Sequence, residues 1–240
     1  MKNAPSATAR LLQTVPFFAD LDSHVLETIA ARCRLQLLRA GQPVFMEGDL
    51  CKHLYILESG CVKFYRASAE GREQILKVFD RPGDSFCIPS AFRTGRHIVS
   101  GRAATEARLH LLDVDTVNRL VQEHPHMALK LVATAGEHMT YLVGLAEDLS
   151  LKSAKARLAT YLYEQAVAEE DAEKGKEILL SRDRFPEEDL AAMLGTVRVH
   201  ISRSLKSLVR AGAIDLDHRF IRIRDLTVLK RISKRSSGPR

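Results

Sequence analysis

The chain's 240 residues fit one large domain or two small ones, and its 45% apolar content suits a packed core rather than global disorder. No apolar run approaches the roughly 18 residues of a membrane span, and residues 1–10 have no apolar stretch after their basic residues, so they do not read as a secretory signal; the expected location is the cytoplasm. Charge is uneven: residues 182–240 hold 14 Lys and Arg against 7 Asp and Glu, a net of +7 in a chain whose total is +6, so residues 1–181 sum to −1.

Residues 7–33 carry helical spacing interrupted at Pro16, and Asp22 or Ser23 is placed to cap a second helix through Leu26, Ile29 and Ala30. From residue 34 to about 115 the pattern changes. Short apolar segments alternate with punctuation such as Glu47-Gly48-Asp49, Ser59-Gly60, Arg81-Pro82-Gly83-Asp84 and Thr94-Gly95. Strands are expected over 43–47, 54–58, 61–66, 73–79, 98–103 and 108–113, and many short strands with frequent turns predict a β-barrel or roll. Residues 67–72 read as a hairpin loop in which Gly71 supplies a positive φ.

Helical periodicity returns over 115–124 and more strongly over 125–149. There Leu129, Val132, Gly136, Met139, Val143 and Ala146 recur at steps of 3, 4, 3, 4 and 3. That is an a/d seam, which suits a parallel dimer helix. The other reading is a helix lying on its own β-domain, and a helix has faces enough for both. An amphipathic helix follows over 153–168 through Ala156, Leu158, Ala159, Leu162 and Tyr163, then a charged loop over 169–177 and a short strand over 178–180. Helices over 187–194 and 198–209 flank Gly195-Thr196-Val197. Strands over 213–217 and 220–224 meet at a tight Asp217-His218-Arg219 turn, and a helix over 226–233 closes the pattern. The basic tail over 234–240 reads as disordered.

Residues 187–208 have the grammar of a helix-turn-helix. Leu190, Met193 and Leu194 give the first helix its apolar face, Gly195 permits the turn, and Ile201, Leu205 and Leu208 give the second helix a core face at i, i+4, i+7. Arg198, Val199, Ser202, Arg203 and Lys206 are left pointing outward, with Thr196 and His200 beside them as further candidates for contact with DNA. Arg can donate two hydrogen bonds to guanine, Ser can reach a base or a phosphate, and Lys suits a phosphate. The two following strands would form a wing, with Arg219, Arg222 and Arg224 near the backbone of a duplex.

These features together make the chain similar to the cyclic-AMP receptor protein / fumarate-nitrate regulator (CRP/FNR) family over residues 10–230. The resemblance lies in Pro16-Phe-Phe-Ala-Asp-Leu21, Gly41-Gln-Pro-Val-Phe-Met-Glu-Gly-Asp49, Leu54-Tyr-Ile-Leu-Glu-Ser-Gly-Cys-Val-Lys63 and Arg81-Pro-Gly-Asp84, in that order. It implies an α+β protein: an N-terminal cyclic-nucleotide-binding-type β-roll over 1–124, a dimerisation helix over 125–150 and a C-terminal winged helix-turn-helix over 151–240. It also implies a homodimer, double-stranded DNA and RNA polymerase as partners, with no membrane. Residues 59–77 resemble the nitrosative-stress branch of the family, whose members are thought to sense nitric oxide through haem.

Three departures from the family pattern narrow the function. The Gly-Glu pair that holds a ribose falls at Cys87-Ile88, and the Arg-Ser/Thr-Ala triplet that holds a cyclic phosphate falls at about His97-Ile98-Val99. Ile and Val cannot hold an anion, which argues against cyclic AMP or cyclic GMP. No closely spaced cysteines precede Cys33, which argues against an iron–sulfur cluster. In the reading helix the family's Glu is replaced by Val199, so one base pair of the half-site should change.

The expected effector pocket therefore comprises Cys87, Ile88, His97, Val99 and His138. A non-covalent haem there would use His97 or His138 as axial ligand, with His53 as another candidate and Cys87 as a thiolate option; a lone His is otherwise expected to be a solvated surface residue. The four cysteines, at 33, 51, 61 and 87, match no zinc-site spacing and read as buried small hydrophobes. A thiol switch through Cys87 or another cysteine is the alternative signal, followed by an apolar small molecule or no ligand. The motifs GxSxG, HExxH, GxxxxGK[ST] and GxGxxG are absent, so no enzyme is expected. A cyclic-nucleotide-type binding module without DNA function would leave the basic C-terminal third unexplained.

Overall fold

A computed structural model describes residues 4–172, 178–182 and 186–234. The expected disorder over 235–240 and the part of the charged loop at 173–177 lie outside the described residues. The chain divides into two compact units, Met1–Arg72 with Leu76–Tyr141, and Leu142–Arg240 with the three residues Glu73–Ile75. No helix among the described residues is long and apolar enough to cross a membrane.

The first unit opens with helices α1 (Ala7–Thr14) and α2 (Ser23–Ala30). Asp22 takes the N-cap position of α2 without a side-chain bond, whereas Ser6 caps α1 through its hydroxyl on the Ala9 amide. Eight strands follow: β1 (Arg34–Leu38), β2 (Pro43–Phe45), β3 (His53–Ser59), β4 (Val62–Ala67), β5 (Glu73–Phe79), β6 (Ser85–Phe86), β7 (Ser100–Ala103) and β8 (Ala107–Asp113). They form two antiparallel sheets in the orders β1-β8-β3-β6 and β2-β7-β4-β5, the predicted roll. Gly71 sits at φ 80 in the β4–β5 hairpin, as its position required. The strand expected over 43–47 ends at Phe45, because the next residues close a turn: the Met46 amide donates to Asp49 Oδ2 at 2.9 Å and Gly48 adopts φ 89.

Both sheets feed one core. Tyr55 and Leu57 of β3, Phe86 of β6, Leu109 and Leu111 of β8 meet Phe45 of β2, Val62 of β4 and Phe79 of β5. The intervening residues of the same strands, Leu54, Ile56 and Leu112, turn the other way, into a second core built on α1, α2, helix α3 (Val114–Glu123) and Met127 and Leu131 of helix α4 (His126–Leu151). Burial on both faces explains why 54–57 is an unbroken apolar run rather than an alternation. At 26 residues, α4 is about 39 Å long.

The second unit holds the end of α4, then α5 (Ala154–Ala172), β9 (Leu179–Ser181), α6 (Glu187–Met193), α7 (Arg198–Arg210), β10 (Ile214–Leu216), β11 (Phe220–Ile223) and α8 (Leu226–Ser233). Residues 169–172, expected in a loop, continue α5. The strands form one antiparallel sheet, β10-β11-β9. Leu158 and Leu162 of α5, Leu190 of α6, Ile201, Leu205 and Leu208 of α7, Ile221 of β11 and Leu229 of α8 close a single core.

Candidate nucleic-acid interface and effector site

The α6–turn–α7 motif is fixed by its turn. Gly195 adopts φ 57, and a Cβ there would lie 2.5 Å from Leu149 Cδ2, so both the backbone angle and the space call for glycine. The Thr196 amide returns to the Ala191 carbonyl at 2.9 Å. Arg157, on α5, holds the motif from behind: its Nε donates to the Leu194 carbonyl at 2.8 Å and its Nη1 to the Lys152 carbonyl at 2.7 Å. One guanidinium thus ties the helix-turn-helix to the segment joining α4 and α5.

Burying Ile201, Ser204, Leu205 and Leu208 leaves Arg198, Val199, His200, Arg203 and Lys206 of α7 exposed, as the sequence required. Thr196 is half-buried, with its hydroxyl 3.2 Å from His200 Nδ1. Ser202 differs from expectation. It is half-buried rather than fully outward, and its hydroxyl donates to Glu187 Oε2 at 2.9 Å. Glu187 also meets Arg182 Nη2 at 3.1 Å and Arg198 Nε at 3.8 Å, while Glu188 meets Arg198 Nη1 at 2.9 Å. The first turn of α6 therefore supplies internal carboxylates to two of the predicted DNA-contacting side chains. Sequence reasoning missed Glu187 and Arg182, because the pairing of Glu187 with Ser202 spans 15 residues and follows no local motif.

The wing is β10 and β11. Its turn is held by Asp217 Oδ1, which accepts from the Arg219 and Phe220 amides, each at 2.7 Å, and by Arg182 Nη1 on the Asp217 carbonyl at 2.8 Å. Lys206 and Arg210 of α7 and Arg222 of β11 face one another across a groove of about 580 Å³, with Asp215 and Asp217 on the wing side. Arg219 is exposed at the tip. Arg224, expected near a phosphate, pairs with Asp215 at 2.6 Å.

On α4, all six seam residues are exposed. Leu129, Val132, Met139 and Val143 stand at 75, 70, 63 and 60% exposure, with Gly136 and Ala146 between them. This face does not lie on the β-roll. Met127 and Leu131 join Leu54, Ile56 and Leu112 of the roll from another face of the helix.

The predicted effector residues do not form one group. Cys87 and His97 come together in the roll core, with Sγ and Nδ1 3.5 Å apart. His97 is 3% exposed, not a solvated histidine, and its ring stacks on Phe45 at 3.7 Å with 6° between planes. Val99 packs half-buried against the same core. Ile88 points into the other core, among the helices. His138, half-buried on α4, sets its ring edge-on to Phe79 at 6.2 Å; burial, then the charge of Lys77, lowers its pKa. His53 lies 3.1 Å from Asp113 at the end of β3.

A third residue joins Cys87 and His97. The ligand atoms of Cys51, Cys87 and His97, all buried, lie within 4.8 Å of one another. A hydrogen bond from Cys87 lowers the Cys51 pKa to about 5, with His97 contributing, whereas burial pushes the Cys87 thiol well up. Cys87 also adopts φ 76, a left-handed conformation that costs a non-glycine residue on the order of 1–3 kcal/mol. The expectation of buried cysteines holds for Cys51 and Cys87, whereas Cys61 and Cys33, whose thiol is pushed up to about 11 by burial, are half-buried.

Residues 35–124 match the model of a cyclic nucleotide-binding domain, and residues 156–232 that of a Crp-like helix-turn-helix domain. The chain is 27% identical over 191 residues to a CRP-like cAMP-activated global transcriptional regulator of Mycobacterium tuberculosis, covering 80% of this chain and 84% of that one. It is 25% identical over 218 residues to the cyclic AMP receptor protein of Thermus thermophilus, covering 91% and 96%. Among solved structures, FixK2 of Bradyrhizobium japonicum superposes with a TM-score of 0.72 over 85% of this chain and 99% of that one, at 20% identity.

Proposed function

Because this chain belongs to the CRP/FNR family of DNA-binding transcription regulators, we propose that it works as a homodimer on a pseudo-palindromic site, under a signal that is not a cyclic nucleotide. The observation behind the DNA reading is the face of α7: Arg198, Arg203 and Lys206 stand exposed over a helix anchored by Ile201, Leu205 and Leu208. Arg203 and Arg198 read base edges, Ser202 contacts a base or phosphate after leaving Glu187, and Thr196, His200 and Lys206 position the backbone. Val199 offers a base only an apolar contact. The α4 seam pairs two copies, which sets the two reading helices about one helical turn of DNA apart. Cytoplasmic action with RNA polymerase as partner follows from this reading. Its direct test is Arg203→Ala: specific binding in a mobility shift should be lost while the dimer persists in sedimentation. An unchanged site preference would remove Arg203 from the reading face.

The signal enters the β-roll. A cyclic nucleotide needs a carboxylate for its ribose and a cation with hydrogen-bond donors for its phosphate, and the matching positions hold Cys87-Ile88 and His97-Ile98-Val99, of which Cys87, Ile88 and His97 are buried. Isothermal titration with cyclic AMP should therefore show no binding at physiological concentrations. A non-covalent haem reporting nitric oxide is the second reading. It rests on His138, which is half-buried against Phe79 and whose imidazole is biased toward the neutral, ligating form because burial lowers its pKa. Protein expressed with added haem should then show a Soret band that shifts with nitric oxide, and its absence after reduction would discard this reading.

A further inference from the structure

Three segments of the β-roll, distant in sequence, deliver soft metal-binding atoms to one buried point. Cys51 comes from the turn before β3, Cys87 from the end of β6, and His97 from the stretch leading into β7. We infer that Cys51, Cys87 and His97 form a binding site for one thiophilic divalent metal ion of the zinc class. This goes beyond the DNA reading and does not depend on it.

Geometry supplies the first argument. In a tetrahedral site with a metal–sulfur bond near 2.3 Å and a metal–nitrogen bond near 2.05 Å, sulfur and nitrogen ligands stand about 3.6 Å apart. Cys87 Sγ and His97 Nδ1 are 3.5 Å apart, and the third ligand atom falls within 4.8 Å of both. A pair of sulfurs alone would account for a thiol switch. It would leave unexplained an imidazole whose Nδ1 is directed at the same point from a buried position.

The ligands are also held in place. The His97 amide donates to the Asp49 carbonyl and the Gly48 amide to the His97 carbonyl, each at 2.8 Å, while the Cys51 amide donates to the Gly95 carbonyl at 2.8 Å. The segments bearing Cys51 and His97 are thus laced to each other. Phe45 stacks flat on the imidazole and fixes its plane. Cys87 is set by its left-handed backbone and by the Ala91 amide on its carbonyl at 2.8 Å. Such support is what orients metal ligands in built sites.

Charge decides the class of ion. Two thiolates and a neutral imidazole carry two negative charges, which a divalent ion cancels, so a neutral complex is buried rather than a net charge. Thiolate and imidazole donors together select zinc-like ions over calcium or magnesium. Any proton remaining on the two thiols passes to solvent as the metal binds. Three protein ligands leave one tetrahedral position for a water or a small exogenous ligand.

The test uses the full chain, kept anaerobic and reduced, stripped with a chelator and titrated with Co²⁺. One ion per chain should bind, with thiolate-to-cobalt charge-transfer absorption and the visible bands of tetrahedral cobalt, and Zn²⁺ should abolish both. Cys51→Ser and His97→Gln should each weaken Zn²⁺ binding on the order of 100-fold or more, whereas Cys61→Ser should leave it unchanged. Should a ligand variant misfold, the wild-type chain still decides, because Zn²⁺ must displace Co²⁺ one for one and raise the melting temperature of the metal-free chain. Absence of the charge-transfer band, or Zn²⁺ affinity indifferent to both ligand variants, overturns the site. A Cys51–Cys87 disulfide that forms readily and is unaffected by His97→Gln, in a chain that binds no Co²⁺, assigns a redox pair instead.

Discussion

Val199 stands on the exposed face of α7 between Arg198 and Arg203, where the family resemblance places a glutamate. A glutamate there can accept from cytosine N4 and a valine cannot, so Val199→Glu should shift the preferred base at one position of each half-site, by about 1–3 kcal/mol per half-site, read from competition between single-base variants of the duplex. No change in preference would place Val199 away from the groove. Gly195 is decided by two terms together. Its φ of 57 costs an L-residue about 1–2 kcal/mol, and its Cβ would press on Leu149. Gly195→Ala should therefore lower urea stability by at least that amount, and adding Leu149→Ala should relieve only the steric part. Both residues were legible in the sequence because each obeys a local rule. Cys51, Cys87 and His97 were not legible as a group. Their separations of 36 and 10 residues match no motif, and only the roll brings them together.

At the scale of elements, periodicity read the helices well and the strands unevenly. The α4 seam appeared in sequence as regular 3,4 spacing, and its six residues are exposed in a single chain. An apolar stripe of this length facing water needs a partner. Val132→Asp with Met139→Asp should convert a dimer to a monomer in sedimentation, and should cost specific DNA binding because two half-sites must be held at once. A dimer that survives both charges would place the interface elsewhere. The strand that escaped notice was β1. Its polar–apolar alternation runs only from Arg34 to Leu37, and the Leu35 and Leu37 it picks out are 42 and 63% exposed while the next residue, Leu38, is the buried one. Strand β6, two residues long, is too short for any periodicity.

At the scale of the whole molecule, part of the positive charge of residues 182–240 faces the groove between α7 and the wing: Lys206, Arg210 and Arg222 line it beside Asp215 and Asp217, and Arg219 stands exposed at the wing tip. Counterion release then makes affinity fall linearly with the logarithm of salt, at about 0.9 per neutralised phosphate. Lys206→Ala should lower that slope by about 1 for each copy removed while leaving base preference unchanged. The central claim is that two copies of this chain place two α7 helices on a symmetric duplex. Selection from a randomised duplex library by mobility shift tests it most directly. The enriched sequences should contain a two-fold symmetric pair of half-sites centred about 10 base pairs apart. Enrichment of no symmetric sequence, or of a single isolated half-site, would contradict it.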